Sequence, residues 1–129
     1  MYFSDPRAAE VFAEYSARHQ AERALTRDLP PGEFGHRRDE FLLPVGAEVD
    51  NFLRALAIGR APERILELGT SYGYSTLFLA DAAKACGAKL VTVDVDAAKQ
   101  DYARRMLERA GLAEAVEFRC GDALDIVAA

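Results

Sequence analysis

The chain has 129 residues, of which half are hydrophobic and 29% are charged, so one ordinary globular domain is expected. The formal net charge of -5 argues against a nucleic-acid partner. No apolar run approaches the roughly 20 residues that span a bilayer, which argues against a membrane partner. The chain contains two cysteines, which suits a reducing compartment. These features predict a cytoplasmic location.

The first 40 residues predict a helix followed by a polar loop. Ser4 or Asp5 can cap the helix, Pro6 suits its first turn, and it is expected to end near Asp28. The apolar residues fall roughly on one side: Val11, Phe12, Tyr15, His19 and Leu25. Residues 29–44 read as an irregular loop. We interpret residues 1–40 as a cap or dimer element, and a plain surface helix is the alternative.

Val45-Gly46 opens a second predicted helix. Val49, Phe52, Leu53 and Leu56 follow the i, i+3, i+4, i+7 spacing of an amphipathic helix. Gly59 and Pro62 are expected to end it. Gly46 can simply allow the loop to turn into the helix, and a second role for the Val-Gly pair is considered below.

The stretch from Ile65 to Ser75 reads as a buried strand, a glycine-bearing turn and the start of a helix. The apolar run Ile65 to Leu68 is typical of a parallel strand covered on both faces. Gly69 and Gly73 interrupt it, and the helix from Tyr74 to Cys86 then points its first N–H groups over the turn. A dinucleotide site requires Gly-x-Gly-x-x-Gly here, and the chain has one glycine too few.

Two further strands follow. Leu90 to Asp94 is rich in β-branched residues and ends in an acid about 20 residues beyond the turn, where a carboxylate can accept hydrogen bonds from ribose hydroxyls. Asp94 as a simple turn residue is the alternative. A helix capped by Asp96, a strand over residues 115–120 and a final helix over residues 123–129 complete the order. Alternation of strands and helices predicts a parallel sheet with right-handed crossovers.

The motif Glu67-x-Gly69-x-x-x-Gly73, with the Tyr-Ser that follows, resembles class I S-adenosylmethionine-dependent O-methyltransferases of the catechol and caffeoyl-CoA type. In that family a Val-Gly pair touches the methionine end of the cofactor, and Val45-Gly46 matches it. Gly121-Asp122-Ala123 resembles the segment that lies against the adenine, although Asp122 can equally cap the last helix. The resemblance implies these cofactor-binding residues: Val45, Gly46, Glu67, Gly69, Ser71, Gly73, Ser75, Asp94, Asp122 and Ala123.

The resemblance implies a Rossmann-like fold with three parallel strands and flanking helices, lacking the fourth strand onward, with residues 41–129 as the cofactor-binding domain. It implies methylation of a small-molecule hydroxyl, with a possible homodimer. In relatives Mg²⁺ can assist, but its ligands and the general base follow later strands, so no catalytic or metal residue is assigned. The chain alone is expected to be inactive. A non-catalytic cofactor-binding or dimerising remnant and an NAD-dependent oxidoreductase fragment are the alternatives.

Overall fold

The computed structural model describes residues 2–128, which form one sheet and six helices. Three helices precede the first strand: α1 (Pro6–Arg27), α2 (Glu33–Arg37) and α3 (Ala47–Arg60). Strands and helices then alternate in the order β1 (Arg64–Leu68), α4 (Tyr74–Cys86), β2 (Lys89–Asp94), α5 (Ala97–Arg109), β3 (Val116–Cys120) and α6 (Ala123–Ala128). Ala129, which the sequence placed in the last helix, lies outside the described residues.

The strands pair in the order β1-β2-β3, and both pairs are parallel. Glu67 of β1 lies opposite Thr92 of β2, and Thr92 lies opposite Phe118 of β3. The predicted arrangement of three parallel strands with flanking helices is therefore confirmed. Since the sheet of residues 2–128 has three strands, β1 is an edge strand, and its carboxyl end meets that of β2 at one side of the molecule.

The hydrophobic core lies between the sheet and helices α1, α4 and α5. Its largest fully buried members include Tyr15 of α1, Phe78 of α4, Leu90 of β2 and Leu107 of α5. Three aromatic ring centroids lie within 6 Å of the Phe78 ring centroid, namely those of Tyr2, Phe3 and Phe12. The Phe12 ring centroid also lies within 6 Å of those of Tyr2 and Phe3. The N-terminal helix thus shares the core of the α/β unit, and the division at residue 40 stays a prediction.

Local sequence signals account for three helix ends. Asp5 caps α1 by accepting a hydrogen bond from the Arg7 N–H, and Asp96 caps α5 by accepting from the Lys99 N–H. Gly87 ends α4 in the left-handed conformation. The predicted end of α3 is shifted: the helix runs through Gly59 and stops at Ala61, which takes a φ of 50°.

The apolar face predicted for α3 is exposed. Val49, Phe52, Leu53 and Leu56 keep between 40% and 65% of their surface accessible, and Asp50 is the one buried residue of this helix. The helix contacts α4 through Asp50, which accepts from the Ser75 hydroxyl, and Arg54, which donates to the Asp81 carboxylate at 2.7 Å. The spacing rule found the helix correctly, but it cannot show which neighbouring element covers the apolar face.

The expectation that β1 is covered on both faces is wrong. Leu66 and Leu68 are 52% and 57% exposed, whereas Glu67 between them is 8% exposed. Alternate residues of a strand point to opposite faces, so Glu67 faces the helices and the two leucines face the open side. The predicted loop over residues 29–44 also differs, because it contains α2 and a 3₁₀ turn over Arg38–Glu40.

Candidate functional site

The glycine turn between β1 and α4 is fixed to the carboxyl end of β2. The N–H groups of Gly69 and Thr70 both donate to the Val93 carbonyl oxygen, at 2.7 and 3.1 Å. Within the turn, the Gly73 N–H donates to the Thr70 carbonyl oxygen at 3.0 Å. Ser71 takes a positive φ of 49°, which is uncommon for a residue with a side chain. The turn therefore has a single defined shape above the sheet.

Gly73 is required by close packing as well as by its backbone angle. Its φ is +92°, and a Cβ built there would lie 2.7 Å from the Ala103 Cβ and 2.8 Å from the Tyr15 hydroxyl oxygen. The Tyr15 hydroxyl also donates to the Tyr72 carbonyl oxygen. Helices α1 and α5 thus press directly on the turn, which only glycine permits.

A cavity of about 400 Å³ opens beside this turn, between the end of β1, the start of α4 and the start of α3. Its volume lies in the range of small-molecule sites. Its charged lining groups within residues 2–128 are Asp50 and Glu67, and no lysine, arginine or histidine lines it. The other polar residues of the lining are Thr70, Ser71, Tyr72, Tyr74 and Ser75. Such a lining favours a ligand with a positive charge.

Glu67 is buried at the floor of the cavity. Its Oε1 accepts hydrogen bonds from the Thr76 and Thr92 hydroxyls at 2.6 and 2.7 Å. Burial raises the pKa of Glu67 to about 7, against the lowering effect of these two hydrogen bonds. The carboxyl therefore changes charge near neutral pH.

Asp50 is a site residue that the sequence did not reveal. It is 1% exposed, it lines the cavity, and its Oδ2 accepts a hydrogen bond from the Ser75 hydroxyl at 3.0 Å. Burial raises its pKa, while the hydrogen bond from Ser75 lowers it. In the sequence, Asp50 is an acid four residues after Gly46 that lies next to the apolar residues of α3. Its neighbours in the chain do not distinguish it from an acid that points into solvent.

Asp94 ends β2 and joins two turns. Its Oδ2 accepts from the Ser71 N–H at 2.7 Å, and its Oδ1 accepts from the Asp96 N–H at 2.9 Å. Its backbone carbonyl accepts from the Gly121 N–H at 2.9 Å. Each carboxylate oxygen can accept more than one hydrogen bond, so both oxygens keep acceptor capacity.

Asp122 caps α6, as one of its two interpretations predicted. Its Oδ1 accepts from the Leu124 N–H at 2.8 Å, and the side chain is exposed. Ala123 is the first residue of the same helix. The Gly121–Asp94 hydrogen bond places this segment at the same edge of the sheet as the glycine turn.

The structure brings half of the predicted site residues into one cavity. Its lining includes Val45, Glu67, Gly69, Ser71 and Ser75. The remaining five lie outside that lining: Gly46, Gly73, Asp94, Asp122 and Ala123. Asp94 connects to it through the Ser71 N–H. Of the other predicted residues, Asp94, Asp122 and Ala123 lie at or beyond the carboxyl ends of β2 and β3, outside this cavity.

Neither a metal cluster nor a membrane helix is found in the part of the chain that the structure describes. No group of three or more His, Cys, Asp or Glu side chains between residues 2 and 128 is placed to hold a metal ion. No helix within the same residues has the length and apolar character needed to cross a bilayer.

Comparisons with known proteins agree on one family. The sequence model of the O-methyltransferase family matches residues 32–129. The chain is 38% identical to catechol O-methyltransferase of Niastella koreensis over 85 residues and 40% identical to that of Mycobacterium tuberculosis over 83 residues. These matches cover 66% and 64% of this chain, and 38% and 37% of the relatives.

A solved structure gives the same result. The O-methyltransferase of Bacillus cereus, in complex with SAH, superposes with a TM-score of 0.65 and 30% identity, over 98% of this chain and 48% of that one. The chain thus spans about half of the solved protein and less of the two curated relatives. The Rossmann-like fold predicted from the sequence is confirmed. On the family match over residues 32–129, the chain belongs to the O-methyltransferase family.

Proposed function

We propose that the protein binds S-adenosylmethionine and transfers its methyl group to a hydroxyl oxygen of a small molecule. The observation that carries this proposal is the cavity beside the glycine turn, whose charged lining consists of two buried carboxylates. S-adenosylmethionine has a sulfonium and an ammonium group, and buried carboxylates stabilise such charges when they are close. The family membership and the SAH bound to the B. cereus relative support the same ligand.

The residues divide by position along the carboxyl edge of the sheet. Val45, Gly46 and Ser75 are assigned to the methionine end, and Glu67, Gly69 and Ser71 to the cavity floor and turn. Asp94 is assigned to the ribose hydroxyls. Asp122 and Ala123 are assigned to the adenine. Gly73 acts through the shape of the turn, because its side-chain position is filled by Tyr15 and Ala103.

The bound cofactor supplies an electrophilic methyl group for in-line transfer. The described residues hold the cofactor and orient its reactive end, which is catalysis by positioning. Mg²⁺ can assist ionisation of the acceptor hydroxyl in the resembled family, but the described side chains do not form a set of ligands for it. We therefore assign neither a metal step nor a general base to residues 2–128.

The acceptor, a possible homodimer and a cytoplasmic location belong to the same proposal. The catechol O-methyltransferase relatives favour a phenolic acceptor. Residues 1–129 alone are expected to transfer no methyl group, because the matched part is half or less of the relatives. A cofactor-binding remnant without catalysis is the second candidate, and the exposed β1 edge favours it for the isolated chain.

Calorimetric titration with S-adenosylmethionine, S-adenosylhomocysteine and NAD tests cofactor choice. We expect both adenosyl ligands to bind more tightly than NAD, because the turn lacks the third glycine of a pyrophosphate site. Tighter binding of NAD would overturn the proposal. A radiolabelled methyl-transfer assay with a catechol, with and without Mg²⁺, then separates an enzyme from a remnant that binds without turnover.

A further inference from the structure

Buried polar side chains form a continuous run of hydrogen bonds beneath the glycine turn. The Gln100 Nε2 lies 3.1 Å from the Thr70 Oγ1, the two hydroxyl oxygens of Thr70 and Thr92 are 2.6 Å apart, and the Thr92 Oγ1 lies 2.7 Å from the Glu67 Oε1. No member is more than 8% exposed. The run passes from α5 through the turn and β2 to β1, and it ends at the cavity.

The direction of this run is fixed at its Gln100 end. The same Nε2 lies 2.9 Å from the Arg119 carbonyl oxygen and 3.3 Å from the Thr92 carbonyl oxygen. Carbonyl oxygens only accept, so the Gln100 group must be the donating NH₂. The two N–H hydrogens of Gln100 serve three acceptors, one of which is the Thr70 hydroxyl oxygen.

The Thr92 hydroxyl donates its one hydrogen to the Glu67 Oε1, so in the contact between the two threonines Thr70 is the donor and Thr92 the acceptor. The Thr76 hydroxyl donates to the same Glu67 Oε1 at 2.6 Å. Glu67 consequently receives two O–H donors at one oxygen, an arrangement that stabilises the ionised carboxylate over the neutral acid. Burial acts in the opposite direction and raises the pKa of Glu67 to about 7.

We propose that Gln100, Thr70 and Thr92 are positioning residues, whose hydrogen bonds orient the Glu67 carboxyl toward the cavity and favour its ionised form, which receives the cationic end of the methyl donor. The inference rests on the proposed function for its ligand, but the hydrogen-bond run itself does not. Gln100 and Thr92 act on the Glu67 carboxyl through hydrogen bonds, and neither residue lines the cavity.

The charges around Glu67 make the donors necessary. Asp50 of α3 and Asp94 of β2 both raise the pKa of Glu67 by electrostatic repulsion. The Tyr15 hydroxyl of α1 faces the same region, and Tyr74 of α4 lines the same cavity. None of these groups is a cation, so the hydroxyl donors are the interactions that favour the charged form of Glu67.

The test is a titration of the Glu67 side-chain carboxyl by ¹³C NMR in the purified protein without ligand, with Glu67→Gln to assign the signal. We expect Thr92→Val to raise the midpoint by about one pH unit, because a charge-assisted hydrogen bond is lost. Thr92→Ser keeps the hydroxyl and should return the midpoint to the parent value. Gln100→Leu should raise it by a smaller amount.

Thr26→Val is the matched control, because it removes a hydroxyl that donates to the Arg23 carbonyl oxygen in a solvent-exposed hydrogen bond near the end of α1. It should leave the midpoint unchanged. A Thr92→Val midpoint equal to that of the parent, or a Thr92→Ser shift as large as that of Thr92→Val, would overturn the proposal. Valine suits a strand and matches threonine in size; if that variant nevertheless fails to fold, Gln100→Leu and Thr92→Ser provide the comparison.

A second measurement separates this inference from the proposed function. Titration with S-adenosylmethionine at pH 7 should show several-fold weaker binding to Thr92→Val than to Thr92→Ser. Weaker binding together with a raised midpoint supports the whole proposal. A raised midpoint with unchanged affinity would overturn the role of Glu67 in binding the donor, whereas an unmoved midpoint would overturn the hydrogen-bond run itself.

Discussion

The Ser71 N–H donates to the Asp94 carboxylate at 2.7 Å, so the glycine turn after β1 is tied to the last residue of β2. One side chain thereby shapes the turn and stands at the proposed ribose position. Because both Asp94 oxygens already accept from backbone N–H groups, the carboxylate is held in place before any ligand arrives. This arrangement is preorganisation in the ordinary sense of binding energetics.

Asp94→Ala is expected to weaken S-adenosylmethionine binding by more than tenfold without unfolding the protein. Losing charge-assisted hydrogen bonds costs about 1.5–3 kcal/mol, and about 1.4 kcal/mol is a factor of ten in affinity. Asp94→Asn should lose less, since it keeps one acceptor oxygen. Calorimetry gives the affinities and circular dichroism checks the fold. Parent-like binding by Asp94→Ala would leave Asp94 as a turn residue only.

Gly73→Ala should destabilise the fold more than Gly87→Ala. Both glycines have positive φ, at +92° and +69°, so both variants acquire backbone strain. A Cβ at Gly87 meets nothing within 4 Å, whereas one at Gly73 collides with Ala103 and Tyr15. We expect urea unfolding to show about 1–3 kcal/mol of additional loss for Gly73→Ala. Equal losses would show that the turn can shift away from its neighbours.

Glu67 should make stability fall as pH rises. Its pKa is raised from 4.5 to about 7 in the folded protein, so between these values the folded state holds a proton that the unfolded state has released. The stabilising contribution is full below pH 4.5 and is lost as pH passes through about 7. The loss amounts to about 3 kcal/mol at most.

The measurement is urea unfolding across this pH range for the parent and for Glu67→Gln. The variant should lack the decline that the parent shows. Glu48→Gln, which changes an exposed glutamate of α3, is the control and should follow the parent. If the Glu67→Gln and parent curves run parallel, Glu67 does not titrate in this range.

Residues 1–129 alone should self-associate through α3 and the edge of β1. Phe52 and Leu56 of α3 and Leu66 and Leu68 of β1 are between 52% and 65% exposed, beside a strand edge with unpaired backbone groups. Exposed apolar surface and an unpaired strand edge together favour association. Light scattering of the purified chain should show species larger than a monomer.

Phe52→Glu and Leu56→Glu should shift the chain towards monomer by placing charge on that face. Leu25→Glu, which changes an exposed apolar residue of α1, should not. A parent chain that is a monodisperse monomer would contradict self-association. An equal shift towards monomer in Leu25→Glu would show that α3 and the β1 edge are not the surface responsible.

The sequence predicted those features that depend on neighbouring residues in the chain. Asp5 and Asp96 cap their helices by bonding N–H groups two and three residues away, so their roles are visible locally. The glycine turn is visible for the same reason, because Gly69 and Gly73 stand between an apolar strand and an apolar helix. Parallel pairing followed from the alternation of strands and helices.

The features that were missed depend on contacts between distant segments. Asp50 faces the cavity because α3 packs on α4, where Ser75 lies 25 residues further along the chain. The edge position of β1 was not missed, because a sheet that lacks the fourth strand already predicts it, and the sheet order confirms it. Gln100 was given no role from the sequence, and its three acceptors come from the turn, β2 and β3.

The contact of Tyr15 with Gly73 and Tyr72 has a consequence for how far the protein can be trimmed. A chain that begins at residue 41 would keep every strand and every residue assigned to the cofactor. It would lose the Tyr15 hydroxyl at the Tyr72 carbonyl and the Arg18 guanidinium, which lies 4.4 Å from the centre of the Tyr72 ring. The turn would then be free to relax on its outer side, so removal of a helix that contains no assigned ligand residue should cost both cofactor affinity and cooperative unfolding.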